Sequence, residues 1–122
     1  MNNDKEVVVW GTGTVLREFL HVDDMAKASI HVMNIDAQQF NSAIPKNGPY
    51  INVGYGKDIL IGDLAALVKK TVGFKGSINF DLTKPDGTHR KLLDITLISK
   101  LGWKPSIDLS TGLKSALEDY LR

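Results

Sequence analysis

Hydrophobic positions along this chain change period several times, and each change marks an element boundary. Val7, Val8 and Val9 form a β-branched run that ends in Trp10 and is closed by Gly11 and Gly13. That predicts a strand over 6–10 followed by a turn. A second short extended piece covers 16–20. Asp23 or Asp24 then stands at a helix-cap position, and Met25, Ala28, Val32 and Met33 follow helical spacing to about Ile35. Residues 36–49 are polar and contain Pro45, Gly48 and Pro49, the composition of a surface loop.

Residues 50–53 predict a short strand closed by Gly54-Tyr55-Gly56. Residues 61–72 predict a helix with Leu64, Leu67, Val68 and Val72 inward, Lys69 and Lys70 near its end, and Gly73 as its stop. Residues 77–81 read as a strand. Lys84-Pro85-Asp86-Gly87-Thr88 predicts a tight turn, because Pro presets φ and Gly accepts positive φ. Asp94 can cap a short helix over 95–101 that stops at Gly102, and Ser110 can cap the last helix. Leu113, Ala116, Leu117, Tyr120 and Leu121 give that helix an amphipathic stripe. With no internal repeat, low-complexity tract or linker, the expectation is one small mixed α/β domain over 1–122.

Composition narrows the function classes. A chain of 122 residues supports one modest core, and 43% apolar with 24% charged residues is ordinary for a globular protein. The formal net charge is +1, so no broad field draws DNA, RNA or an anionic membrane, and any anion needs a local cluster. There is no cysteine, which excludes disulfides and thiolate zinc sites. No apolar run approaches the roughly 20 residues of a membrane span, and the first residues lack the apolar core of a signal peptide. These features lead to the expectation of a cytoplasmic protein.

Several residues could carry chemistry. Trp10 can stack on a base or sugar ring, or close a strand as a core tryptophan. Arg17 can grip a diphosphate with its planar fork, or pair on the surface with Glu18 or Asp23. The stretch from Lys84 to Lys91 offers acceptors and three cations, in which Asp86 can accept from ribose hydroxyls; a solvated loop is the alternative. Gly11-x-Gly13 and Gly54-x-Gly56 read as turn glycines. The first opens no helix, and Asp63 near the start of the next helix disfavours a phosphate at the second. His21, His31 and His89 have no metal-ligand spacing, so no metal is expected. No nucleophilic triad stands out, and Asp23-Asp24 reads as helix capping.

A family resemblance sharpens this. Arg17-Glu18-Phe19-Leu20-His21-Val22-Asp23-Asp24-Met25-Ala26 resembles the R-x-F-x-x-V-D-D-x-A signature of the extended short-chain dehydrogenase/reductases. Ile51-Asn52-Val53-Gly54-Tyr55-Gly56 resembles their N-V-G-x-G strand, and Leu101-Gly102-Trp103-Lys104-Pro105 with Gly112-Leu113 their closing L-G-W-x-P…G-L segment. Val7 to Thr14 and Lys84 to Asp94 are similar to the GDP-L-fucose synthases within that superfamily.

The resemblance implies the C-terminal, substrate-binding portion of an NADPH-dependent epimerase/reductase acting on GDP-4-keto-6-deoxy-D-mannose. It implies substrate-binding roles for Trp10, Arg17, Asp86, Lys91 and Arg90. It also implies that the Rossmann domain, the NADPH it binds, and the catalytic Ser, Tyr-x-x-x-Lys pair, Cys and His lie outside this chain. No Tyr here is followed four residues later by Lys: Tyr50 meets Gly54 and Tyr55 meets Ile59. No turnover and no bound cofactor are therefore expected of the chain alone. The implied partners are a GDP-sugar, the Rossmann domain and a second subunit in a homodimer, with no nucleic acid and no membrane. A piece of this kind also exposes an apolar docking face. The alternatives are the substrate domain of another nucleotide-sugar epimerase or dehydratase, and a stand-alone nucleotide-sugar binding module.

Overall fold

A computed structural model describes residues 5–45, 48 and 50–122. The described elements run, in order, β1 (Glu6–Trp10), β2 (Leu16–Glu18), α1 (Val22–Met33), α2 (Ala37–Ala43), β3 (Asp58–Leu60), α3 (Ile61–Val72), β4 (Ser77–Asp81), β5 (Arg90–Lys91), α4 (Thr96–Lys100) and α5 (Leu109–Tyr120). This is a small mixed α/β chain, as its patterning predicts. The chain divides into two compact units. One is Met1–Arg17, Asp58–Lys91 and Ser110–Arg122; the other is Glu18–Lys57 and Leu92–Leu109.

In the first unit β1 and β4 pair in parallel, from Glu6 opposite Ser77 to Trp10 opposite Asp81. A second sheet has the order β3-β2-β5, with Leu16 opposite Arg90 and Arg17 opposite Lys91 in a parallel ladder. Helix α3 matches its predicted bounds. It has no side-chain cap; instead Ile61 N donates to Val15 O and Gly62 N to Gly13 O, at 3.0 and 2.9 Å. Backbone carbonyls thus satisfy donors that a helix start leaves free. At the other end Gly73 has φ 69°, with Gly73 N donating to Lys70 O and Phe74 N to Lys69 O. That paired closure requires a left-handed residue, which is why a glycine stops the helix there.

The second unit is built on Ala28, Ile98 and Trp103, against which Leu20, Val32, Ile51, Val53 and Ile95 pack. Its strongest polar feature is Asp24, only 1% exposed. The carboxylate accepts from Ser106 N, Ser106 Oγ and Ile107 N at 2.8–2.9 Å. Burial pushes the Asp24 carboxyl up, but these hydrogen bonds and the nearby Lys27 charge outweigh it and hold it below the usual carboxylate value. Asp24 therefore fastens the segment after Trp103 onto α1.

Several expectations are corrected. Neither Asp23 nor Asp24 caps α1; the cap is His21, whose Nδ1 accepts from Asp23 N at 3.2 Å. Met25 and Met33 follow helical spacing but are exposed, as are Val22 and Ile30, so only the Ala28 side of α1 is buried. The predicted loop over 36–49 contains α2, because Asp36 caps it by accepting from Gln38 N and Gln39 N. Lys46, Asn47 and Pro49 of that loop lie outside the described residues. Residues 50–53 form no strand, and the nearby strand is β3, which the sequence pattern did not reveal.

The turn after β4 is formed by Asp81, not by Pro85 and Gly87. Asp81 Oδ1 accepts from Thr83 N and Thr83 Oγ1, and Lys84 N donates to Asp81 O. Gly87 is not among the glycines of positive φ. Helix α4 covers Thr96–Lys100, and its N-cap is Ile95, without a side-chain cap bond, rather than Asp94, which accepts from Thr96 N from one residue earlier. Ser110 lies in the first turn of α5, which begins one residue earlier, and Ala116, Tyr120 and Leu121 of its stripe are exposed.

Candidate functional site

The substrate-binding residues singled out in the sequence all fall in the first unit, where hydrogen bonds and ladder register place Trp10, Asp86, Arg17 and Lys91 along one surface strip and turn Arg90 to the other face. Trp10 ends β1 with 71% of its surface exposed, so it is not a core tryptophan. Trp103 fills that role in the other unit. The Lys84 ammonium stands over the Trp10 ring, 5.6 Å from its centroid. Such a contact contributes about 0.5–1 kcal/mol at an exposed site and leaves most of the ring free. Lys84 reaches the ring because the Asp81 turn folds the chain back beside the end of β1.

Two residues beyond Trp10, Thr12 is held by Asp86. Thr12 N donates to Oδ1 at 2.9 Å and Thr12 Oγ1 to Oδ2 at 2.7 Å. The hydroxyl bond first, then the backbone bond, holds the Asp86 carboxyl below the usual range. The approach requires Gly11, whose φ is 80° and whose Cβ, were there one, would overlap Asp86 Oδ1. Asp86 thus binds the 84–88 loop to the turn after β1, and each of its oxygens keeps a lone pair for another donor.

The loop continues past Arg17. The guanidinium Nη2 lies 3.0 Å from where a Gly87 Cβ would sit, while Nη1 donates to Leu16 O at 2.6 Å. Arg17 pairs with neither Glu18 nor Asp23, and no described carboxylate forms an ion pair with it. Opposite Arg17 in the β2–β5 ladder stands Lys91. Residues in register on parallel strands project to the same face, so the two cations emerge side by side.

Arg90 projects to the other face. Its Nε and Nη2 donate to Asp58 Oδ2 and Oδ1 at 2.5 and 3.2 Å. That fork holds the Asp58 carboxyl below its ordinary value and raises the guanidinium above its own. Arg90 is therefore tied to β3, and the open cations of the strip are Arg17 and Lys91, with Lys84 at the ring. Sequence reading included Lys84 in a cationic stretch but did not link it to Trp10. The signal for that link is Asp81 followed by Thr83, an Asx turn.

Neither glycine pair fits a dinucleotide pyrophosphate. Thr12 N, between Gly11 and Gly13, is given to Asp86, and Gly56 N is given to Glu18. Both turns already face a carboxylate, which repels a phosphate. Among the described residues no three His, Cys, Asp or Glu side chains gather as a metal site. No described helix is long and apolar enough to cross a membrane. Two shallow concavities, one around Ile95 and Ser99 and one around Lys69 and Phe74, contain none of the strip residues. The strip is an open surface suited to an extended ligand with a flat ring at one end and negative charge beyond it.

Known proteins resemble this chain over nearly its whole length. The profile of the NAD dependent epimerase/dehydratase family matches residues 1–53. The GDP-L-fucose synthase of Escherichia coli is 50% identical over 119 residues, 98% of this chain and 37% of that protein. GDP-L-fucose synthase 1 of Arabidopsis thaliana is 43% identical over 100% of this chain and 35% of its own length. A crystal structure of a GDP-D-glycero-L-gluco-heptose synthase from Campylobacter jejuni, determined in the presence of NADPH, superposes with a TM-score of 0.85 at 39% identity. It covers 97% of this chain and 34% of that one. The chain spans about a third of the length of the curated relatives it matches. Over nearly its whole length the chain is thus similar to about a third of the length of such enzymes, and over residues 1–53 to the NAD dependent epimerase/dehydratase family.

Proposed function

We propose that this chain is the C-terminal substrate-binding portion of an NADPH-dependent epimerase/reductase that makes GDP-L-fucose from GDP-4-keto-6-deoxy-D-mannose. The observation that carries it is the in-register pair Arg17 and Lys91, open on one face, on the same strip as the exposed ring of Trp10. Arg17 grips the diphosphate and Lys91 adds a second positive charge. Trp10 contacts the nucleoside. Asp86 fixes the loop and offers its remaining lone pairs to a hydroxyl, and Arg90 supports the strip through Asp58.

Binding at this end orients the sugar for chemistry carried out elsewhere. NADPH supplies hydride to the C4 ketone and is held by a Rossmann domain outside this chain. In this reading 1–122 acts as one substrate-binding portion of a cytoplasmic homodimer and does not turn over substrate alone.

The test is a titration of the isotope-labelled chain with GDP, followed by NMR. Expected are shifts at Trp10, Arg17, Gly87 and Lys91, with weak, millimolar-range affinity because only part of the site is present. Shifts confined to other residues overturn the assignment. Oxidation of NADPH with the keto-sugar by the purified chain overturns its proposed lack of turnover. A second reading, a GDP-heptose substrate, is supported by the similarity to the Campylobacter enzyme. Competition between GDP-fucose and GDP-heptose in the longer protein separates the two.

A further inference from the structure

One carboxylate adjoins the strip in sequence but serves none of its open cations. Glu18 follows Arg17 directly and closes β2. Alternation along a strand turns it to the face opposite Arg17. It forms no ion pair among the described residues. Its Oε1 accepts from Gly56 N at 2.5 Å, and its Oε2 from Leu93 N at 3.0 Å. The surrounding sequence makes room for it. A Cβ on Gly54 would stand 2.6 Å from Oε1 and 2.9 Å from both Cδ and Oε2. Gly56 takes φ 78° as it presents its N–H. The N-V-G-x-G glycines therefore shape a seat for this protein's own carboxylate.

The two bonds matter because of where they fall. Leu93 is two residues beyond Lys91, and Gly56 two before Asp58, the partner of Arg90. Strand β5 has two residues and β2 three. So short a ladder specifies its register weakly by itself. At its start β5 is fixed by Leu16 N donating to His89 O at 2.8 Å. Beyond Lys91, the Glu18 bond to Leu93 N fastens the segment that follows.

We propose that Glu18 is a positioning residue for the anion subsite. From the far face of β2 it fixes the backbone on which Arg17 and Lys91 are presented to a nucleoside diphosphate, and it does not touch the ligand. The proposal rests on the GDP-sugar reading of the strip.

The test compares two probes, GDP and guanosine, titrated by NMR into the chain and its variants. Glu18→Gln preserves shape but turns an NH2 group toward a backbone N–H. Expected is at least a fivefold loss of GDP affinity with guanosine affinity unchanged, and faster hydrogen exchange at Gly56 and Leu93. An equal loss for both ligands marks a general structural role and overturns the proposal, as does an unchanged affinity ratio. Arg17→Ala and Lys91→Ala are the reference. If they lower the ratio and Glu18→Gln does not, the positioning role alone fails. If they leave it unchanged, the diphosphate reading fails, and the proposal with it. Should Glu18→Gln not fold, Gly54→Ala, whose methyl displaces the carboxylate, is read by the same ratio with the same two outcomes.

Discussion

Arg17 and Lys91 stand opposite each other in the parallel ladder of β2 and β5, so two positive side chains leave one face of the sheet with no carboxylate among the described residues paired to Arg17. Like charges side by side repel, and an anion between them relieves that repulsion. Arg17→Ala and Lys91→Ala should each weaken GDP binding roughly tenfold, about 1.4 kcal/mol. Arg17→Lys should recover little, because a point charge cannot reproduce the fork. Arg90→Ala should have a smaller effect, since Asp58 holds that side chain. Calorimetry or NMR titration at two salt concentrations checks this, with affinity falling as salt rises.

Gly87 should reveal Arg17 from its other side. A methyl there would lie 3.0 Å from Nη2, and Gly87 has no positive φ to strain. Gly87→Ala should therefore shift the guanidinium and lower GDP affinity while changing stability by less than about 0.5 kcal/mol. A denaturant melt beside the titration measures both.

Gly11 predicts the reverse balance. Its φ of 80° and the overlap of an added Cβ with Asp86 Oδ1 mean that Gly11→Ala strains the backbone and breaks the Thr12–Asp86 clamp together. A loss of about 1–3 kcal/mol is expected, read as a lower urea midpoint with unchanged slope.

Asp24 sets an acid limit on stability. Its folded pKa lies below the ordinary value of 3.8, so the folded chain binds the proton less readily than the unfolded one. Its stabilisation is complete above pH 3.8 and is lost as the pH falls through the folded value. Asp58, Asp86 and Asp94 shift in the same direction and add to the loss. Asp24→Asn can keep both backbone bonds on one amide oxygen, as Oδ2 does now, but removes the charge that strengthens them and turns an NH2 toward Ser106 Oγ; it should cost on the order of 1–3 kcal/mol at neutral pH. The gap in urea midpoint between wild type and variant should narrow as the pH is lowered below 3.8, because acid removes from the wild type what the substitution has already removed.

Where structure depends on neighbours a few residues away, the sequence alone determined it. The β-branched run of β1, the apolar spacing of α3, its stop at Gly73 and the strand β4 are local preferences, and each stands where its pattern places it. The surface chemistry of Trp10, Arg17 and Lys91 was legible as residue types, but their exposure and common face were not. The tertiary structure decided what depends on partners 38 to 83 positions away: Thr12 against Asp86, Glu18 against Gly56 and Leu93, Asp24 against Ser106 and Ile107. Asp23-Asp24 was misread for that reason, and Glu18 was legible only as one possible partner of Arg17. A carboxylate has the same local appearance whether it caps a helix, pairs with its neighbour or receives the backbone of a distant loop, and only the fold brings the donor that selects among these roles.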